Sequence, residues 1–198
     1  MRAPDRPSAF TGDNARDKYF TAYGRVLGEL WPVPVEAIDV ETRAGSVRIH
    51  RAGPAEGDPV VLLAGADGNA LAWYRYIEPL ARMRPVFAVD PLGEPGRSVQ
   101  TRPLATGAEV AGWLTDEQVR ELSVPVQVLL GARSAVHDAR AVAARLAEIA
   151  PSWRVEIVPD TGHALPVEAP DLITERILTF PGQTRAEIAT PVHSTDRG

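Results

Sequence analysis

The 198-residue sequence predicts an α/β fold with a mainly parallel sheet, fronted by an N-terminal antiparallel hairpin. Three observations carry this. The unbroken apolar run Val60–Ala64 suits a strand covered on both faces, and Val86–Val89 and Val126–Leu130 read as two further buried strands. Stretches of helical periodicity separate those runs, the alternation expected of parallel βαβ units. Two short alternating runs, Ile38/Val40 and Val47/Ile49, flank Ala44-Gly45 and read as the hairpin.

Taken in order, residues 1–12 are polar with two prolines and are expected to be disordered. Residues 13–180 are expected to form one domain. From Asp13, the spacing of Tyr19, Tyr23, Val26 and Leu30 predicts an amphipathic helix that Pro32 and Pro34 end. After the hairpin and the first buried run, Gly65-Ala66-Asp67-Gly68-Asn69 is a glycine-rich loop. It leads into a helix carrying Trp73, Ile77 and Leu80, which Pro79 should kink or restart. The loop after Val89, from Asp90 to Ser98, is rich in turn residues, and Asp67, Asp90 and Asp160 read as turn positions. A helical pattern begins at Glu109–Leu114, and Thr115-x-x-Gln118 is a capping box for another. The third apolar run ends at Gly131. Asp138 then suits the N-cap of a helix over Ala139–Ala150. Val155 and Ile157 make a last strand, and Pro159, Thr161 and Gly162 turn the chain to present His163. A helix with Ile173, Ile177 and Phe180 on one side follows Pro170. Residues 181–198 are polar and aperiodic and are expected to form a disordered tail.

Composition narrows the function classes. The net charge of -5 gives no reason to expect nucleic acid as a partner. With no cysteine, thiol catalysis and disulfides are excluded. The four histidines, at 50, 137, 163 and 193, show no metal-ligand spacing, and no cofactor motif is present, so neither metal nor cofactor is expected. Lys18 is the only lysine among many arginines, which reads as the codon bias of a GC-rich, bacterial-like genome. No apolar run approaches a membrane span, and residues 1–20 lack the apolar core of a signal peptide. A cytoplasmic location without membrane association is the expectation.

In their order and spacing, the hairpin, VVLLAG, the Trp73 helix, VFAVD and PLGEPGRS, then VPVQVLLG and VEIVPDTGHALPVEAP, resemble the α/β-hydrolase fold family, serine-esterase-like. PLGEPGRS is similar to that family's D-x-x-G-x-G-x-S loop. The resemblance covers roughly 25–114 and 115–180 as two blocks. Between them the family has a strand, the nucleophile elbow G-x-S-x-G on a sharp strand-to-helix turn, a further strand and helix, and any cap. This chain contains no G-x-S-x-G, and Leu114 runs directly into Thr115. The fold implied is therefore a truncated α/β-hydrolase fold, lacking its middle at about 114/115. Two β–α units at about 30 residues each, plus a cap, make a loss on the order of a hundred residues.

The resemblance also assigns roles. His163 matches the catalytic base. Gly65-Ala66 matches the oxyanion loop, with the Ala66 N–H as one donor. The position matching the acid is Ser134, and Asp138 stands near enough to substitute, although capping the next helix is its other reading. No residue matches the nucleophile. Ser98 has Gly96 two residues before it but Gln100 two after, on a loop where the family keeps a structural serine. Two function classes follow. One is a hydrolase of ester or related acyl bonds in a small apolar substrate, impaired for lack of a nucleophile. The other is a non-catalytic remnant or binding protein on the same fold. Removing the central strands also predicts that the strands at 60–64 and 126–130 pair directly in parallel, and that sheet left exposed supports self-association.

Overall fold

The computed structural model describes residues 10–65, 68–102, 116–120, 122 and 124–180. The expected loose ends at 1–9 and 181–198, and the Glu109–Leu114 helix, lie outside the described residues. The chain divides into two compact units, Met1–Gly112 and Trp113–Gly198.

In the first unit, α1 (Asp13–Leu30) precedes the hairpin of β1 (Glu36–Thr42) and β2 (Gly45–Ala52), then β3 (Val60–Leu63). A short 3₁₀ helix (Ala70–Trp73) and α2 (Tyr74–Ala81) lead to β4 (Val86–Val89), and β5 (Val99–Gln100) closes the unit. The strand order is β1-β2-β4-β3, with β5 on β2. β1 and β2 pair antiparallel, β2 pairs antiparallel with β4, and β3 lies parallel to β4 with Val60 opposite Val86. Gly45 turns the hairpin at φ 140, and a side chain there would meet the Val99 carbonyl oxygen at 2.0 Å, so only glycine fits. Tyr76, Ile77 and Leu80 of α2 and Val86 and Ala88 of β4 are buried and form the core of this unit. Pro79 sits inside α2 rather than restarting it. The irregular turn comes earlier, in the 3₁₀ helix, where Asn69 Oδ1 accepts the Leu71 N–H at 2.9 Å.

In the second unit, α3 (Asp116–Arg120) is followed by β6 (Gln127–Gly131), α4 (Ala139–Ile149), β7 (Arg154–Val158), α5 (Leu165–Glu168) and α6 (Pro170–Thr179). β6 and β7 form a two-stranded parallel sheet, joined through α4 as a βαβ crossover. Arg176 of α6 forks onto Glu156 of β7 at 2.8 and 3.0 Å, fixing the last helix against the last strand.

Two expectations are corrected. The strands at 60–64 and 126–130 do not pair: β3 bonds to β4 and β6 to β7, in separate sheets. Each finds its parallel neighbour within its own unit, through its own helical crossover, so neither needs the other to be hydrogen-bonded along one side. The Val60–Ala64 run is also not covered on both faces. Val61 is 58% and Leu63 63% exposed while Leu62 between them is buried, so one face of β3 is packed and the other is open. Among the described residues no helix is long and apolar enough to cross a membrane.

Candidate functional site

His163 is placed by the interlacing of the two loops that follow β6 and β7. The Ala132 N–H donates to the Val158 carbonyl at 3.0 Å, and the Arg133 N–H donates to Thr161 O at 2.8 Å. Thr161 is buried, and its hydroxyl donates back to Val158 O at 3.0 Å. Asp160 takes the left-handed conformation, φ 57, that the turn requires. The Gly162 N–H donates to Glu168 Oε2 at 2.7 Å, tying the loop to α5. Gly131 makes the crossing possible, since a Cβ there would stand 1.9 Å from Gly162 O.

The result is an exposed imidazole at the carboxyl end of β7. Its ring meets that of His137 edge to face, with centroids 5.7 Å apart and planes at 75°. His137 in turn has Nδ1 at 3.3 Å from Ser134 Oγ, which also accepts the Val136 N–H at 3.2 Å. Asp138 Oδ1 accepts the Arg140 and Ala141 N–H groups at 2.9 and 3.1 Å and so caps α4. An open cavity of about 520 Å³ is lined by Ser134, Val136, His137 and Asp138. Among the described residues no carboxylate hydrogen-bonds to His163; the side chain against it is His137. Reading by residue type passed over His137, whose only sequence signal is its place three residues after Ser134, at the matched acid position.

Gly65 and Ala66 belong to the other unit. Gly65 O accepts the Gly68 N–H at 3.0 Å, and Ala66 lies outside the described residues. Ser98 is structural: its hydroxyl donates to Asp90 O at 2.5 Å and accepts the Arg48 N–H at 2.8 Å, bracing the loop against β2.

Asp90 is not the turn residue its surroundings suggest. It is 0% exposed and is the polar hub of the first unit. Oδ1 accepts the Ala70 N–H at 2.9 Å and the Tyr23 hydroxyl at 3.0 Å, while Oδ2 accepts the Arg97 N–H at 2.8 Å. Tyr23 Oη also lies 3.0 Å from Nε2 of His50, which is 1% exposed. The single phenolic proton goes to Asp90, so His50 carries its proton on Nε2 and donates it to Tyr23. Burial first, and then the Asp90 charge, push the Tyr23 phenol far above its usual range. Burial also pushes the Asp90 carboxyl up, but neighbouring His50 and the Ala70 and Arg97 N–H groups outweigh it and hold the carboxyl below the ordinary value. The cluster pins α1 to β2, to the loop after β4 and to the 3₁₀ helix. Nothing in the spacing of positions 23, 50 and 90 reveals it.

No protein-family model matches the chain. Two Bacillus subtilis proteins, carboxylesterase YbfK and the carboxylesterase nap, are each 31% identical to it over 99 residues, half of this chain and 33% of theirs. The chain thus matches about a third of the length of these relatives. Among solved structures, carboxylesterase CesB (YbfK) from Bacillus subtilis superposes with TM-score 0.75 at 18% identity, covering 82% of this chain and 96% of that one. Naproxen esterase (carboxylesterase NP) from the same organism also gives 0.75 at 18% identity, covering 87% and 99%.

Proposed function

Because this chain has the α/β-hydrolase fold, we propose that it is an esterase-like hydrolase scaffold, shaped for ester or related acyl bonds of a small apolar substrate, that does not itself turn over esters. The observation that carries this is the absence of G-x-S-x-G from all 198 residues, although the segments that precede and follow the elbow in this fold are both present.

Acyl transfer needs a nucleophile, a base oriented by an acid, and oxyanion donors. This chain offers His163 as the base. Its neighbour is an imidazole rather than a carboxylate, and the nearby Asp138 is engaged as a helix cap. The oxyanion donor that normally follows the nucleophile goes with the elbow.

The comparisons support an internal gap. A relative of which 99 residues are 33% is about 300 residues long, so 96% of it is about 290. The match to it uses 82% of 198 residues here, about 160. Such a match bridges on the order of a hundred residues, the size of two β–α units of about 30 residues each and a cap. Self-association through the exposed sheet face of β3 belongs to the same reading, motivated by Val61 and Leu63.

The purified 198-residue chain assayed with short-chain p-nitrophenyl esters should hydrolyse them at the rate of buffer containing equimolar imidazole. Saturable turnover well above that rate favours the alternative, a working hydrolase with a replacement nucleophile.

A further inference from the structure

We propose that His137 and His163 form a two-nitrogen site for a borderline divalent transition cation, of the class of Cu²⁺, Ni²⁺ or Zn²⁺. The loops after β6 and β7 bring together two imidazoles that lie 26 positions apart in the chain, with ring centroids at 5.7 Å. With a metal–nitrogen bond of about 2.0 Å and about 1.1 Å from nitrogen to ring centre, two imidazoles on one metal have centroids roughly 4.4–6.2 Å apart for N–metal–N angles of 90–180°. The observed centroid separation falls inside that window.

The protonation pattern also fits. Ser134 Oγ stands against His137 Nδ1 at 3.3 Å and can take its proton. That leaves Nε2 with the lone pair, and Nε2 is the atom of His137 that is buried and has no hydrogen-bond partner. A ligating histidine held at its other nitrogen by a polar neighbour is the usual arrangement behind a metal. His163 is exposed and its ring is held by no hydrogen bond among the described residues, so rotation about its side-chain torsions can bring a nitrogen to the same point. The cavity lined by Ser134, His137 and Asp138 opens beside His137 and leaves room for water ligands.

No group of three or more His, Cys, Asp or Glu side chains among the described residues could hold a metal. The protein therefore supplies two ligands and water the remainder. Imidazole nitrogen selects Cu²⁺ over Ni²⁺, and both over hard cations such as Mg²⁺. This inference does not depend on the esterase reading, since the two imidazoles bind a metal whether or not esters are hydrolysed.

The test is titration of the full chain with Cu²⁺ or Ni²⁺, each alone, by calorimetry. One equivalent should bind, Cu²⁺ more tightly than Ni²⁺, with no response to Mg²⁺. His137→Ala and His163→Ala should each weaken binding at least tenfold, and Ser134→Ala by about tenfold, the lower end for loss of a supporting partner. His193→Ala should leave binding unchanged. Electron paramagnetic resonance of the Cu²⁺-loaded parent chain, which needs no variant to fold, should show hyperfine coupling to two imidazole nitrogens. Coupling to one nitrogen, retention of affinity in both histidine variants, or loss of binding in His193→Ala would overturn the site.

Discussion

Replacing Asp90 with alanine should cost the first unit more stability than any other single substitution of a polar residue. Its carboxylate accepts three hydrogen bonds: from the Ala70 N–H at 2.9 Å, the Tyr23 hydroxyl at 3.0 Å and the Arg97 N–H at 2.8 Å. Ala70 and Tyr23 are buried at 0% and 3% exposure, so their donors have no route to bulk water, whereas Arg97 is only half-buried and can be re-solvated. A buried donor left unpaired costs about 1–3 kcal/mol, so two cost roughly 2–6 kcal/mol. Against a usual total margin of about 5–15 kcal/mol, that is a large share. Urea denaturation followed by circular dichroism measures the loss. Amide hydrogen exchange locates it, since Ala70 and Arg97 should change from slow to fast exchange before the unit unfolds as a whole. A loss below about 1 kcal/mol, with the Ala70 amide still protected, would refute the assignment of Asp90 as the hub.

Other perturbations separate the roles of neighbouring groups. Tyr23→Phe leaves His50 Nε2–H without its acceptor and should cost about 1–3 kcal/mol in the same urea titration. The folded-state pKa of Asp90 lies below its unfolded value, so its stabilising contribution is complete above about pH 4 and is lost as pH falls through the lower folded value. An acid titration of Asp90→Asn should therefore show a shallower loss of stability below pH 4 than the parent chain. Asp138→Ala should cost about 0.5–2 kcal/mol as a lost helix cap, measured by thermal melting, and leave any ester hydrolysis unchanged. Gly131→Ala drives a methyl group to within 1.9 Å of Gly162 O, so the loop carrying His163 must shift; a changed His163 ring resonance in the NMR spectrum, with at least about 1–3 kcal/mol of destabilisation, is the expected signature.

The strands and helices could be read from the sequence because their signals are local. Apolar runs, a glycine at the hairpin turn and an Asp before a helix need no knowledge of partners. What could not be read depends on partners. The run at Val60–Leu63 looks like a strand covered on both faces because its composition suits one, yet the exposure of Val61 and Leu63 depends on what packs over the face they share. Asp90 sits among turn residues in a turn-rich loop, and only the approach of α1 and the 3₁₀ helix makes its carboxylate a hub. Gly96 packs against it in the fold, where a Cβ would stand 2.7 Å from Asp90 Cβ. His163 stood out because glycine precedes it at a strand end. His137 was inconspicuous, because the loop that carries it meets the His163 loop only through tertiary hydrogen bonds such as Arg133 N–H to Thr161 O.

In the proposed reading, His163 is a base with no nucleophile to activate. A general base contributes only by taking a proton from a positioned hydroxyl within about 2.6–3.2 Å, and loss of a serine hydrolase nucleophile costs about 10⁶ in turnover. The most direct measurement is exposure of the native 198-residue chain to a fluorophosphonate probe, read by intact mass. On this reading no adduct is expected, with the mass unchanged after prolonged incubation. Stoichiometric addition of one phosphonyl group to a serine, mapped to Ser98, Ser134 or any other position, would contradict it.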